Sequence, residues 1–220
     1  MFKSLRENNP SPFGGYFNYG DFQIISASPE RFLHMKNGLV ETRPIKGTRR
    51  RGETPEEDAV LKKELQESGK DKSELLMIVD LERNDLNRVC EPGSVKVTSL
   101  FDVETYATVF HLVSNIVGKM QSGLTAPDLL RAAFPGGSIT GAPKIRAMEI
   151  IDELEQSRRG LYTGSMGYLG LDGSCDLNIV IRTALYQNGC YTLGVGGGIT
   201  CESDLEFEYE ETEQKARALL

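Results

Sequence analysis

Near the C-terminus, three strand-like runs, residues 165–171, 176–186 and 190–195, are divided by Asp172-Gly173 and Asn188-Gly189. Both dipeptides suit the left-handed backbone of a tight hairpin, so the runs predict an antiparallel meander. The N-terminal region carries the same signals: residues 22–26 and 32–35 read as strands, and Lys36-Asn37-Gly38 reads as a hairpin turn. Between these regions the period changes. Thr54-Pro55-Glu56-Glu57 combines an N-cap threonine, a proline at the first helical position and a glutamate three residues on, with Val60, Leu61 and Leu65 following at helical spacing. A break is expected at residues 68–71 around Gly69, then a second helix over 72–86. Strands are expected at 94–100 and 109–117, and helices open at Thr125-Ala126-Pro127-Asp128 and at Pro143, the latter running to about Gln156. Residues 204–220 read as an acidic terminal helix. Strands and helices are segregated rather than alternating, which predicts an α+β fold over a doubly wound sheet.

At 220 residues the chain suits one large domain, or part of something larger. A net charge of −7 argues against nucleic acid and acidic membrane surfaces as partners, since neither is attracted by such a field. The local exception, Arg49-Arg50-Arg51, reads as a solvated turn. Cys90, Cys175, Cys190 and Cys201 have no CxxC spacing, so neither a zinc site nor a disulfide framework is indicated. Without a signal peptide or a bilayer-spanning apolar run, a reduced, cytoplasmic protein is expected.

Several residues could carry chemistry. Lys46 stands between a proline-led dipeptide and Gly47, in an expected turn, downstream of Glu30; an amine with a nearby proton donor has the parts of an activated nucleophile, though most turn lysines are solvated charges. Glu208, Glu211, Thr212 and Lys215 share one helix face, and Asp71 and Glu74 repeat the i, i+3 carboxylate spacing. Each pair is either a solvated face or half of an oxygen-only site suited to magnesium. The segment 136–144 fails the phosphate-loop pattern, because Ala142-Pro143 follows Gly141. It still offers a glycine turn, with Ser138 and Gly141, at a helix N-terminus able to hold a carboxylate. Gly196, Gly197 and Gly198 likewise allow close backbone approach to a ligand, or serve a tight turn. Arg182, in an apolar strand-like run, needs an anionic partner, and a structural aspartate would serve. His111, also in apolar sequence, reads on its own as a core histidine.

Together these segments resemble the chorismate-utilising enzymes. The resemblance rests on Asn9-Pro10-Ser11-Pro12-Phe13, Ser28-Pro29-Glu30-Arg31-Phe32, Pro44-Ile45-Lys46-Gly47-Thr48, Asp80-Leu81-Glu82-Arg83-Asn84-Asp85-Leu86, His111-Leu112-Val113-Ser114, Gly141-Ala142-Pro143-Lys144, residues 162–169, Ile181-Arg182-Thr183-Ala184 and Gly196-Gly197-Gly198-Ile199. They occur in the family's order and cover essentially the whole chain. The family is commonly about twice as long, and the resemblance begins within its pattern, without an upstream half that contributes strands. The implied fold is the C-terminal part of an α/β/β/α sandwich of antiparallel sheets with helices outside, as a single catalytic domain over 1–220. Missing strands would leave a sheet edge open to self-association.

Lys46 points to the aminodeoxychorismate synthase branch, since anthranilate synthases commonly carry alanine there; anthranilate synthase and a catalytically silent module are the alternatives. The resemblance implies that Lys46 attacks the chorismate ring, Glu30 protonates the leaving hydroxyl and His111 lies near it. It implies Mg2+ on Glu74 and Glu211, with Asp71 and Glu208 nearby through water. Tyr162 and Arg182 would hold the enolpyruvyl carboxylate. Ser138, Gly141, Gly196, Gly197, Gly198 and Lys215 would line the substrate. A glutamine amidotransferase subunit supplying ammonia is the implied partner. Asn9 and the residues after it resemble a segment that binds a feedback amino acid.

Overall fold

The computed structural model describes residues 2–8 and 10–217; Asn9 and the last three residues of the expected terminal helix lie outside the described residues. In chain order the elements are α1 (Phe2–Asn8), β1 (Gly15–Asn18), β2 (Phe22–Ser26), β3 (Arg31–Lys36), β4 (Leu39–Arg43), β5 (Ile45–Arg50), α2 (Pro55–Glu67) and α3 (Gly69–Asn87). Next come β6 (Lys96–Thr105), β7 (Val109–Lys119), α4 (Ala126–Ala133), a 3-10 turn (Gly137–Ile139) and α5 (Lys144–Glu155). The chain closes with β8 (Ser165–Leu169), β9 (Cys175–Ile179), β10 (Thr183–Gln187), β11 (Cys190–Leu193) and α6 (Leu205–Arg217). The α+β class is as expected, and no described helix is long and apolar enough to cross a membrane.

The chain divides into two compact units, one from Met1–Glu30, Arg158–Met166 and Asn178–Leu220, the other from Arg31–Ser157 and Gly167–Leu177. The first holds a four-stranded antiparallel sheet in the order β1-β2-β10-β11. Leu5 of α1 packs on Ile25 and Ala27, which gives that short helix its anchor. The second unit contains most of a seven-stranded sheet, ordered β5-β7-β4-β3-β9-β8 with β6 also paired to β7. Strand β7 is buried continuously from Phe110 to Ser114, the mark of a strand covered on both faces. Leu65 of α2 and Leu75, Ile78, Val79 and Leu86 of α3 are buried in the same unit.

Local signals are realised where they were strongest. Asn37 and Gly38 adopt φ of 53° and 74°, the paired left-handed conformation of a tight hairpin. The Thr54 hydroxyl accepts from the Glu57 amide at 3.2 Å and starts α2. The expected break at 68–71 shrinks to one residue: Ser68 ends α2 and also caps α3, accepting from the Asp71 amide at 3.2 Å, so Gly69 lies inside α3.

Three expectations need correction. The run 176–186 is not one strand, because the chain leaves β9 at Ile179 and enters β10 at Thr183, with Arg182 at φ 50° between them. Its two halves belong to different sheets, so the three runs form two hairpins rather than a meander. No Gly or Pro marks that break; hydrogen bonds do, from Thr163 N to Val180 O at 2.8 Å and from Ala27 N to Arg182 O at 2.9 Å. Lys46 lies in β5, not in a turn. Nor is the arginine run a solvated turn: Arg49 and Arg50 end that strand, and Arg49 pairs with Glu64 and Asp71, Arg50 with Glu57, and Arg51 with Asp58.

Candidate active site

Within the second unit, Lys46 is aimed by a bulge. Ile45 pairs with Val113 and Thr48 with His111, so two residues of β5 oppose one of β7. Gly47 makes this possible. Its φ is 82°, and a Cβ there would lie 2.8 Å from Asp71 Cγ and 2.9 Å from Leu65 Cδ1. The Lys46 ammonium donates to the Ser138 carbonyl at 3.1 Å, reaching the glycine turn 92 residues later. The Ser138 hydroxyl is buried without a hydrogen-bond partner among the described residues, a feature expected of a group reserved for a ligand or water. Gly141, in the same turn, would place a Cβ 2.9 Å from that of Ala147.

His111 is buried in β7, its Nδ1 2.9 Å from the Thr48 hydroxyl and its ring edge-on to Tyr106 at 5.4 Å. Burial and the neighbouring Glu104 push the Tyr106 hydroxyl up to about 12, so it stays neutral and donates to Glu104 at 2.6 Å. Asp71 is engaged by Arg49 at 3.2 Å, and Glu74 faces Lys70 at 3.9 Å.

The first unit gathers the other candidates. Glu30 is 5 % exposed, with its carbonyl accepting from Ile179 N at 3.1 Å. The Ser28 hydroxyl donates to the Ile179 carbonyl at 2.6 Å and steadies the same crossing. No aspartate pairs with Arg182: its guanidinium makes no hydrogen bond or ion pair among the described residues. Burial lowers its pKa, while Glu211, Tyr162 and Glu30 act in the opposite direction. A desolvated guanidinium held only at a distance from its counter-charges is suited to an incoming carboxylate.

Tyr162 packs against the glycine-rich segment. A Cβ on Gly194 would meet its ring at 2.2 Å, and one on Gly196 would lie 2.9 Å from its hydroxyl. A Cβ on Gly197 would lie 3.1 Å from Glu208 Oε2, 3.4 Å from Glu211 Oε2 and 3.7 Å from Lys215 Nζ. Two carboxylates and an ammonium therefore share a cradle that only a bare backbone leaves open. Lys215 pairs with Glu211 at 3.0 Å and donates to the Gly196 carbonyl at 3.1 Å. Ser203 donates to the other Glu208 oxygen at 2.7 Å, and Gly198 is exposed.

Glu208 and Glu211 thus converge, as do Lys46 and Ser138, whereas Asp71 and Glu74 belong to the other unit from Glu208 and Glu211. No group of three possible metal ligands occurs among the described residues. The cradle's donors are oxygens, of the kind a hard cation takes, while the Lys215 ammonium already pairs with Glu211. Sequence reasoning overlooked Lys144 and Asp85, whose buried ion pair spans 2.6 Å. A signal was available, since a lysine opening a helix opposes the helix dipole and needs a compensating partner.

The chain belongs to the chorismate binding enzyme family, whose pattern matches residues 1–220. It is 50% identical over 219 residues to aminodeoxychorismate synthase component 1 of Bacillus subtilis, covering 100% of this chain and 47% of that protein. It is 46% identical over 220 residues to anthranilate synthase component 1 of Aquifex aeolicus, covering 100% of this chain and 44% of the relative. The solved anthranilate synthase component I of Streptococcus pneumoniae superposes with a TM-score of 0.90 at 43% identity, over 99% of this chain and 48% of that one. The chain spans less than half the length of each.

Proposed function

We propose that the chain carries the catalytic machinery of an aminodeoxychorismate synthase component I, converting chorismate and ammonia to 4-amino-4-deoxychorismate for para-aminobenzoate and folate synthesis. The observation that carries this reading is Lys46, turned by the β5 bulge onto the Ser138 carbonyl and away from any carboxylate partner among the described residues. In this reading the Lys46 amine attacks C2 of the ring, both ring double bonds shift along the ring towards C4, and the C4 hydroxyl leaves as water with a proton from Glu30. Ammonia then adds at C4, and Lys46 departs from C2. Arg182 and Tyr162 hold the enolpyruvyl carboxylate, and backbone at Gly196, Gly197 and Gly198 lies along the ring carboxylate. Ser138 and Gly141 line the ring, and His111 sits near the leaving hydroxyl. Glu208 and Glu211 would hold Mg2+, which when bound neutralises the ring carboxylate. Ammonia comes from a glutamine amidotransferase subunit. The working compartment is taken to be the cytoplasm.

A second reading, anthranilate synthase, is supported by the Aquifex and Streptococcus relatives. Lys46 favours the first, because anthranilate synthases commonly have alanine at this position. The purified chain, given chorismate, Mg2+ and ammonium, is expected to form aminodeoxychorismate, identified by mass. Lys46→Ala should abolish or greatly slow it, and Glu30→Gln should slow it by about 10²–10⁴-fold. Fluorescent anthranilate as the product would overturn the use of Lys46 as discriminator. Absence of both turnover and Mg2+-dependent chorismate binding would make the chain a silent module.

A further inference from the structure

We infer that Lys144 is a positioning residue for Lys46, acting through the glycine turn that it clamps onto α3. Its ammonium donates to Asp85 Oδ2 at 2.6 Å, to the Ala133 carbonyl at 2.8 Å and to the Pro135 carbonyl at 2.7 Å. Ala133 is the last residue of α4 and Lys144 the first of α5, so one side chain ties the two ends of the connection together. Asp85 ties both to α3. The clamp is nearly closed to water, with side chains 14% and 7% exposed for Lys144 and Asp85.

One turn earlier in α3, Glu82 sets the other side of the same contact. Its Oε2 accepts from the Thr42 hydroxyl of β4 at 2.9 Å, four residues before Lys46. Gly137 sits so close that a Cβ on it would lie 3.2 Å from Glu82 Cγ and from Leu81 Cδ2. The strand leading to Lys46 and the turn carrying Ser138 are therefore both referenced to one helix. They meet in the 3.1 Å contact between Lys46 Nζ and the Ser138 carbonyl. Burying an ammonium at a helix start is unfavourable by itself, and only the three acceptors gathered there offset it. Asp85 feels the same burial, which raises its pKa, while Lys144 opposes the rise.

The catalytic consequence rests on the aminodeoxychorismate synthase reading; the geometric one does not. The test is the paired variant Lys144→Met with Asp85→Leu, which removes both buried charges together and so avoids leaving one unpaired. Three quantities are read in parallel with the parent chain: the melting temperature, kcat and KM for ammonia-dependent turnover, and the rate at which an acylating reagent modifies Lys46, followed by peptide mass with exposed lysines as internal standards. The expected result is a melt close to the parent, KM within about twofold, kcat lower by about 100-fold, and faster acylation of Lys46. A paired variant that melts like the parent and matches it in both kcat and Lys46 acylation overturns the inference. Should that variant fail to fold, Asp85→Asn keeps an acceptor for Lys144 and is expected to shift both readouts in the same direction by less; parental values in that variant overturn the inference equally. Acylation needs no turnover, so an inactive parent chain would sink the enzymatic reading while the positioning role is still decided by Lys46 itself.

Discussion

Cys90 and its three counterparts divide by burial: Cys90 and Cys175 are buried, whereas Cys190 and Cys201 are exposed. Burial pushes the Cys90 thiol up to about 11 and raises that of Cys175. A thiol-specific chromogenic reagent should therefore titrate two cysteines in the native chain and four after unfolding. Stability should also depend on alkaline pH. The unfolded Cys90 thiol ionises near its ordinary value of 9.0, while the folded one stays protonated to about 11. Its contribution is thus full below pH 9.0 and is lost as pH rises towards about 11. Urea midpoints measured across that window should fall, and should fall less steeply in Cys90→Ala. At this scale the sequence was readable for residue type and poor for environment. Arg182 was read as needing an anionic partner, and which groups face it depended on side chains distant in the chain: Glu211, Tyr162 and Glu30.

Among the elements, β5 shows what a local signal can miss. Pro44 and Gly47 suggested a turn, yet β5 follows β7 with a bulge between Ile45 and Thr48. Pairing with β7 outweighs the turn preference, and the glycine survives because it fills the left-handed position of the bulge. Gly47→Ala should cost about 1–3 kcal/mol, since φ of 82° is strained for alanine and the new Cβ meets Asp71 Cγ at 2.8 Å. The check is a lower denaturant midpoint at unchanged slope; an unaltered midpoint would show that the bulge relaxes freely. Capping behaved differently. Thr54 and Thr125 both begin helices as their sequence signals indicated, because a cap is settled by the four or five residues around it.

For the whole molecule, the four-stranded sheet ends on β11, where Cys190, Tyr191 and Thr192 are exposed. An open edge with an aromatic side chain invites pairing with another chain. Under reducing conditions the protein should sediment with increasing weight as concentration rises, and Thr192→Lys should suppress this, as edge lysines do. A concentration-independent monomer would remove the edge from consideration. The α+β class, most helix starts, the hairpin turns and the family were determined by the sequence, because each depends on residues close together or on motifs in a fixed order. Tertiary structure decided where the 176–186 run divides, where Lys46 points, that Glu208 and Glu211 meet over Gly197, and that Lys144 reaches back to Asp85. These are long-range pairings of register and charge, and no local pattern encodes which distant partner will complete them.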